Sequence, residues 1–237
     1  MKPPILKSSL RLAAAAALAV AQAASWAADG FVTTNEAKLD AIFSQAGFAA
    51  ADRIDIRFNS QTSIIDASLT SIDSFADWNK MAGLAVNLDA PVVNMFFVDK
   101  VRWCGDPGSN IVGCADTPGN LMALDSSWAA HASLGGNLLA HELAHNLGLG
   151  HVLPNNGSNL MNPTLSTSFA LTAAQITTIL SSALVQSDAQ GKFITIQPIA
   201  VLATAPVPEP ASWAMLLLGG VLLVGVARGR RSDPGQA

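Results

Sequence analysis

Residues 141–151 have the sequence His141-Glu142-Leu143-Ala144-His145-Asn146-Leu147-Gly148-Leu149-Gly150-His151, and they constrain the structure more than any other segment. His141 and His145 are four residues apart, so on a helix they share one face, about 6 Å apart along the axis. Gly148 can adopt a positive φ, which ends the helix and turns the chain so that His151 comes back toward the other two. We therefore predict that three imidazoles hold one Zn²⁺ and leave its fourth position to water, as in catalytic zinc sites.

Glu142 adds a carboxylate beside the first histidine. On the helix flank that faces the water, it is expected to accept a proton, because zinc lowers the pKa of the bound water toward about 7. The same carboxyl group would then deliver the proton to a leaving amine. The stretch resembles the HExxHxxGxxH signature of the metzincin zinc endopeptidases at every fixed position. The resemblance implies an enzyme that hydrolyses protein or peptide substrates, with one catalytic zinc on the three histidines and Glu142 as the general base.

Met161 fits a second metzincin feature, a methionine turn beneath the metal. Nine residues separate it from His151, and the Asn162-Pro163 pair that follows favours a turn. An ordinary core methionine is the alternative. The subfamily stays open, since Val152 follows the third histidine and the chain has no tyrosine to match the one near zinc in astacin-like and serralysin-like enzymes.

The hydrophobic pattern of the body predicts an α+β domain. Helices are expected over residues 36–48, near residues 72–78, over 133–147, and from a capping box at Thr172 and Gln175 to about residue 185. Strands are expected over residues 53–59, 91–101, 111–112 and 121–124, with a closing strand over 193–201. Within 91–101, residues 92–98 are apolar apart from Asn94, which suits a central strand. The metzincin resemblance implies a mixed, twisted sheet with an active-site helix and a C-terminal helix.

Both ends of the chain carry targeting features. Residues 1–27 combine three basic residues, a short apolar core and small residues before position 28, which predicts a signal peptide. At the other end, a Pro-rich linker over 203–210 contains Pro208-Glu209-Pro210 and precedes an apolar run over 211–227, predicted to span the membrane, and a basic cytoplasmic tail over 228–237. This arrangement resembles the PEP-CTERM sorting signal of Gram-negative bacteria, which implies an exosortase-type processing enzyme as a partner. A plain C-terminal membrane anchor is the alternative.

Cys104 and Cys114 are the only cysteines. An even count in an exported chain predicts a disulfide. The segment over 102–107 also resembles the cysteine switch of matrixin propeptides, but it follows the expected central strand instead of preceding the catalytic domain. The loop aspartates are also candidate ligands of a calcium ion, although no EF-hand or nonapeptide repeat supports such a site.

Composition excludes other classes of protein. Half of the residues are hydrophobic and 13% are charged, unlike a disordered chain. Residues 28–205 carry 15 acidic and 7 basic residues, a net charge of −8, which argues against nucleic acid as a partner. We expect residues 28–202 to form an exported zinc endopeptidase of the cell envelope or extracellular space. The alternative is a catalytically silent zinc-containing protein with a binding or structural role at the surface or in the extracellular matrix.

Overall fold

The sheet is organised around a strand over Val92–Val98, all seven residues of which are buried. The computed structural model describes residues 31–86, 91–155 and 157–204. These lie in the first of the two units into which the chain divides, Met1–Thr204 and Ala205–Ala237. A strand without an exposed face needs a covering layer on each side of the sheet, as in parallel α/β arrangements.

The described residues contain five α-helices and eleven strands. The helices are α1 (Glu36–Phe43), α2 (Phe75–Ala82), α3 (Ser126–Ala129), α4 (Gly135–Asn146) and α5 (Ala173–Leu180), with short 3₁₀ turns at Ala50–Asp52 and Ala67–Leu69. The strands are β1 (Ile54–Phe58), β2 (Thr62–Ile65), β3 (Ser71–Ile72), β4 (Val92–Val98), β5 (Lys100–Val101), β6 (Trp103–Cys104), β7 (Asp106–Pro107), β8 (Gly113–Ala115), β9 (Leu121–Asp125), β10 (Gln186–Asp188) and β11 (Gly191–Leu202).

The main sheet has the order β1-β11-β4-β9-β8. Its first four strands are parallel to one another, and β8 runs antiparallel to β9. β2 pairs in parallel with the end of β11, while β10 forms an antiparallel pair with its beginning. The sheet is therefore mixed, and the predicted α+β class is confirmed at that level.

The last strand corrects an expectation. The strand expected to close the sheet over residues 193–201 covers Gly191–Leu202 and lies in the interior, between β1 and β4. Ile194 and Ile196 pack in the core on one face of the sheet, and Ile199 and Val201 in the core on the other. Its place depends on pairing with strands about 100 or more residues earlier in the chain, which local pattern does not encode.

Other segments differ from the sequence expectation at their boundaries. The short strand expected at residues 111–112 is displaced to Gly113–Ala115, where pairing with β9 outweighs the low strand propensity of glycine and alanine. The first helix ends at Phe43 instead of residue 48, and α5 ends at Leu180 instead of about 185. The capping box at the start of α5 is confirmed in both of its hydrogen bonds.

The helices cover both faces of the sheet. Side chains of α1, α4 and α5 share one core with Val93, Met95 and Phe97 of β4. Trp78 and Met81 of α2 share the other core with alternate residues of the same strand. In the described ranges, no helix is both long enough and apolar enough to span a membrane; residues 1–27 and 211–227, predicted as signal peptide and membrane segment, lie outside those ranges.

Candidate metal centre

α4 presents the first two predicted ligands on one face. The helix packs on the sheet, and all of its residues except His145 are buried. Its C-terminal end is closed by backbone bonds from Gly148 to His145 and from Leu149 to Ala144. Gly148 has a φ of +97°, so the helix stops here and the chain reverses. The reversal brings His151 back to the helix, as the sequence predicts.

The three imidazoles converge through their Nε2 atoms. His141 Nε2 lies 3.1 Å from His151 Nε2 and 3.2 Å from His145 Nε2, and the remaining pair is also 3.2 Å apart. In a tetrahedral site with bonds of about 2.0–2.1 Å, ligand nitrogens lie about 3.3–3.4 Å apart. The three nitrogens are therefore within a few tenths of an ångström of the spacing that zinc requires.

Hydrogen bonds on the far side of two rings define which nitrogen carries the proton. His141 Nδ1 donates to the carbonyl oxygen of Leu160 at 2.7 Å, and His145 Nδ1 donates to that of Leu149 at 2.6 Å. In a neutral imidazole, the other nitrogen then carries a lone pair. Two lone pairs 3.2 Å apart and directed at one point cannot bond to each other, whereas a cation at that point would be coordinated by both. This donor set fits a metal ion, and the carbonyl partners orient the rings as in known zinc sites.

Burial keeps these ligands neutral. Loss of solvent lowers the pKa of His141 to about 4, with smaller effects from its backbone bond and from the neighbouring histidines. Burial also lowers the pKa of His145 and of His151. Near neutral pH the rings therefore have no proton to lose before they bind a metal.

Glu142 projects from α4 toward the edge strand β8. Its side chain is almost fully buried, at 6% exposure, and burial raises its pKa to about 8. A Cβ placed on Gly113 would lie only 2.5 Å from Glu142 Oε1, so the carboxyl group rests against the backbone of β8. A nearby dication would stabilise the ionised carboxylate and reverse this shift. The sequence motif identifies Glu142 but gives no indication of Gly113.

The turn around Met161 supports the first histidine. Met161 is fully buried, and its amide donates to Asn159 Oδ1 at 2.8 Å. The neighbouring Leu160 supplies the carbonyl for His141, and the amide of Val152 donates to the carbonyl of Met161 at 2.9 Å. The segment thus forms hydrogen bonds with the first of the three histidines and with the residue that follows the third. That Met161 forms the floor of a metal site stays a prediction.

A cleft of about 1080 Å³ opens over the three histidines. Glu142 lines it together with Gly113 and Val112 from the edge of the sheet, and Leu134, Leu138 and Leu165 add apolar side chains to the lining. A ligand in this cleft would lie within reach of both the nitrogen donors and the carboxyl group.

The predicted disulfide between Cys104 and Cys114 is present and joins β6 to β8, with a Cα–Cα distance of 5.4 Å. No thiol is left for the cysteine-switch alternative. Within the described ranges, the three motif histidines are the only group of three or more His, Cys, Asp or Glu side chains that is arranged to hold a metal ion. The fourth histidine, His131, stacks on Trp128 away from the group.

Comparison with known proteins identifies the C-terminal signal. Residues 206–231 match the PEP-CTERM protein-sorting motif, which includes Pro208, Glu209 and Pro210. No curated protein and no solved structure matches the chain. The predicted sorting signal is confirmed, and with it an exported protein that is directed to the cell envelope and recognised by an exosortase-type processing enzyme. Pro208, Glu209 and Pro210 lie outside the described ranges.

Proposed function

We propose that this chain is an exported zinc-dependent endopeptidase of the metzincin type. The observation that carries the proposal is the joint placement, in one cleft, of three converging imidazoles and a buried carboxyl group that lies on the same helix as two of them. Three neutral nitrogen donors suit zinc and leave coordination positions free for water and substrate.

His141, His145 and His151 would hold the ion. When bound there, zinc would polarise a water molecule and the carbonyl of the scissile peptide. Glu142 accepts the proton of the attacking water and donates it to the amide nitrogen as the peptide bond breaks. In the metal-free chain burial raises the pKa of Glu142 to about 8. A dication at the histidines would lower this pKa again, so that the carboxylate is free to accept the proton.

The apolar wall of the cleft supports a peptide substrate. Leu134, Leu138 and Leu165 line the same cleft as the three histidines and would bury an apolar side chain there, and Val112 and Gly113 belong to the same lining. A ligand in such a cleft would lose most of its contact with bulk water, which strengthens the electrostatic effects of Glu142.

The alternative is a zinc-containing surface or matrix protein without catalysis. It accounts for the sorting signal and for the three histidines. It gives no reason for a buried carboxyl group in the cleft, since an unpaired buried acid lowers stability and a neutral residue would pack there at less cost.

The test is cleavage of an unstructured protein substrate by the full chain, with and without a zinc chelator. We expect Glu142→Gln to reduce kcat by at least about 100-fold while zinc remains bound at one ion per chain. Glu36→Gln is the matched control, because it makes the same change at an exposed position of α1. Equal cleavage by the wild type and Glu142→Gln would contradict the role of Glu142 as the base. No cleavage by a zinc-loaded wild type would favour the silent alternative.

A further inference from the structure

The edge strand β8 contains one residue that touches the proposed base. Gly113 pairs with Leu124 of β9 and faces the helix α4. A Cβ built on it would lie 2.5 Å from Oε1, 2.7 Å from Cδ and 2.8 Å from Cγ of Glu142. Ordinary contacts between such atoms begin at about 3.4–3.5 Å, so a side chain of any kind at this position overlaps three atoms of Glu142.

The backbone does not require glycine at this position. Among the described residues, the glycines with positive φ are Gly105, Gly148 and Gly191. Gly113 adopts a conformation that other residues also adopt in strands, which leaves space as the reason for the missing side chain. That space is filled by Glu142.

The strand is held in place, whereas the side chain of Glu142 can shift. β8 is held by its ladder to β9, by the bond from the amide of Asp125 to the carbonyl of Val112 at 2.9 Å, and by the disulfide at the next residue, Cys114. Glu142 lines the cleft, so its side chain has space into which it can move. A methyl group at position 113 would therefore move the carboxyl group by about 1 Å instead of moving the strand.

We propose that Gly113 is a positioning residue for Glu142. The backbone of β8 at Gly113 contacts the carboxyl group and thereby sets the position of this group in the cleft that the three histidines also line. This inference rests on the proposed peptidase function and adds a residue that lies 29 positions before the base and outside the zinc motif. The histidines do not take part in the contact between Gly113 and Glu142, so a change at Gly113 can displace the base without affecting zinc binding.

The kinetic test compares Gly113→Ala with Gly157→Ala in the full chain. Gly157 is the matched control, because a Cβ there meets no atom within 4 Å and its φ is not positive. We expect Gly113→Ala to lower kcat by about 10- to 100-fold, since a displacement of about 1 Å costs up to about 100-fold. Its KM and its zinc affinity, measured by competition with a chromophoric chelator, should stay within about 2-fold of the wild type. Gly157→Ala should match the wild type in all three.

A thermal cycle tests the contact without any activity. Gly113→Ala should lower the Tm of the metal-free chain by at least about 2 °C. In a Glu142→Ala background, which lacks all three overlapping atoms, the same substitution should lower the Tm by much less or raise it. An equal fall in both backgrounds would mean that the methyl group disturbs the strand and not the glutamate, and the proposal would be wrong. It would also be wrong if Gly113→Ala retained the wild-type kcat.

The two proposals fail in different ways. If the wild-type chain binds zinc and cleaves nothing, the peptidase proposal fails. The thermal cycle alone then decides whether Gly113 positions Glu142. If the wild type cleaves and Glu142→Gln is inactive, the peptidase proposal holds whatever Gly113→Ala does. A loss of zinc from Gly113→Ala would contradict the inference that Gly113 acts on Glu142 without affecting the zinc ligands.

Discussion

Zinc binding should release a proton from Glu142 and not from the histidines. Burial raises the pKa of Glu142 to about 8, so in the metal-free chain at pH 6.5 this group is mostly protonated. His141, with a pKa lowered to about 4, is almost entirely neutral at the same pH. A dication beside the carboxyl group favours its ionised form, so the proton leaves as the metal arrives.

The size of the effect follows from linkage. With close to one proton released per zinc, the apparent zinc affinity of the wild type should rise about 10-fold from pH 6 to pH 7, equal to about 1.4 kcal/mol. Glu142→Gln has no proton to release, so its affinity should change by only about 2- to 3-fold over the same interval. That remainder comes from the bound water and the residual titration of the histidines.

The assay is isothermal titration of zinc into the metal-free chain at pH 6.5, in two buffers that differ in protonation enthalpy and do not bind zinc. The slope of the observed enthalpy against buffer enthalpy gives the protons released. We expect the wild type to release about 0.5 to 1 proton more than Glu142→Gln, with Glu36→Gln indistinguishable from the wild type. Equal release by the wild type and Glu142→Gln would refute the assignment, because the proton would then come from the ligands or the water.

Four further outcomes are expected. Replacing both cysteines by serine should lower the free energy of unfolding by about 2–3 kcal/mol in chemical denaturation, because the unfolded chain regains the freedom of a short loop. Asn146→Ala should cost about 1–3 kcal/mol in the same assay, since it leaves the carbonyls of Asp116 and Leu121, each 3.0 Å from its amide nitrogen, without this donor. Met161→Ala should cost about 2–5 kcal/mol and Met161→Leu less than about 1.5, as the side chain is fully buried. The pKa of Glu142 is raised on folding to about 8. Its contribution to the stability of the metal-free chain is therefore complete below about pH 4.5 and disappears as the pH rises through about 8. The Tm values measured at pH 5 and at pH 8 should differ more for the wild type than for Glu142→Gln.

The parts of the fold that the sequence predicted are those with a local physical cause. The apolar run of β4 is buried along its whole length because it is apolar on both faces. The start of α5 was predictable because Thr172 and Gln175 satisfy each other's backbone amides within one turn. The interior position of β11 was not, since its neighbours β1 and β4 lie far away in the chain. The short edge strand was predicted two residues too early, at residues 111–112. Its observed position, Gly113–Ala115, depends on the pairing with β9 and on the contact with Glu142, which the local sequence does not encode.

The same distinction divides the candidate site into two parts. His141 and His145 are set by helical spacing and His151 by the reversal at Gly148, so eleven consecutive residues suffice to bring three nitrogens within 3.2 Å of one another. The placement of Glu142 depends in addition on a strand contributed from another part of the chain. A sequence motif can therefore be intact while the base is misplaced, and conservation of the zinc ligands alone would not preserve activity. If Glu142 is the base, changes in β8 should remove catalysis and leave the metal bound, whereas changes in the motif histidines should remove both.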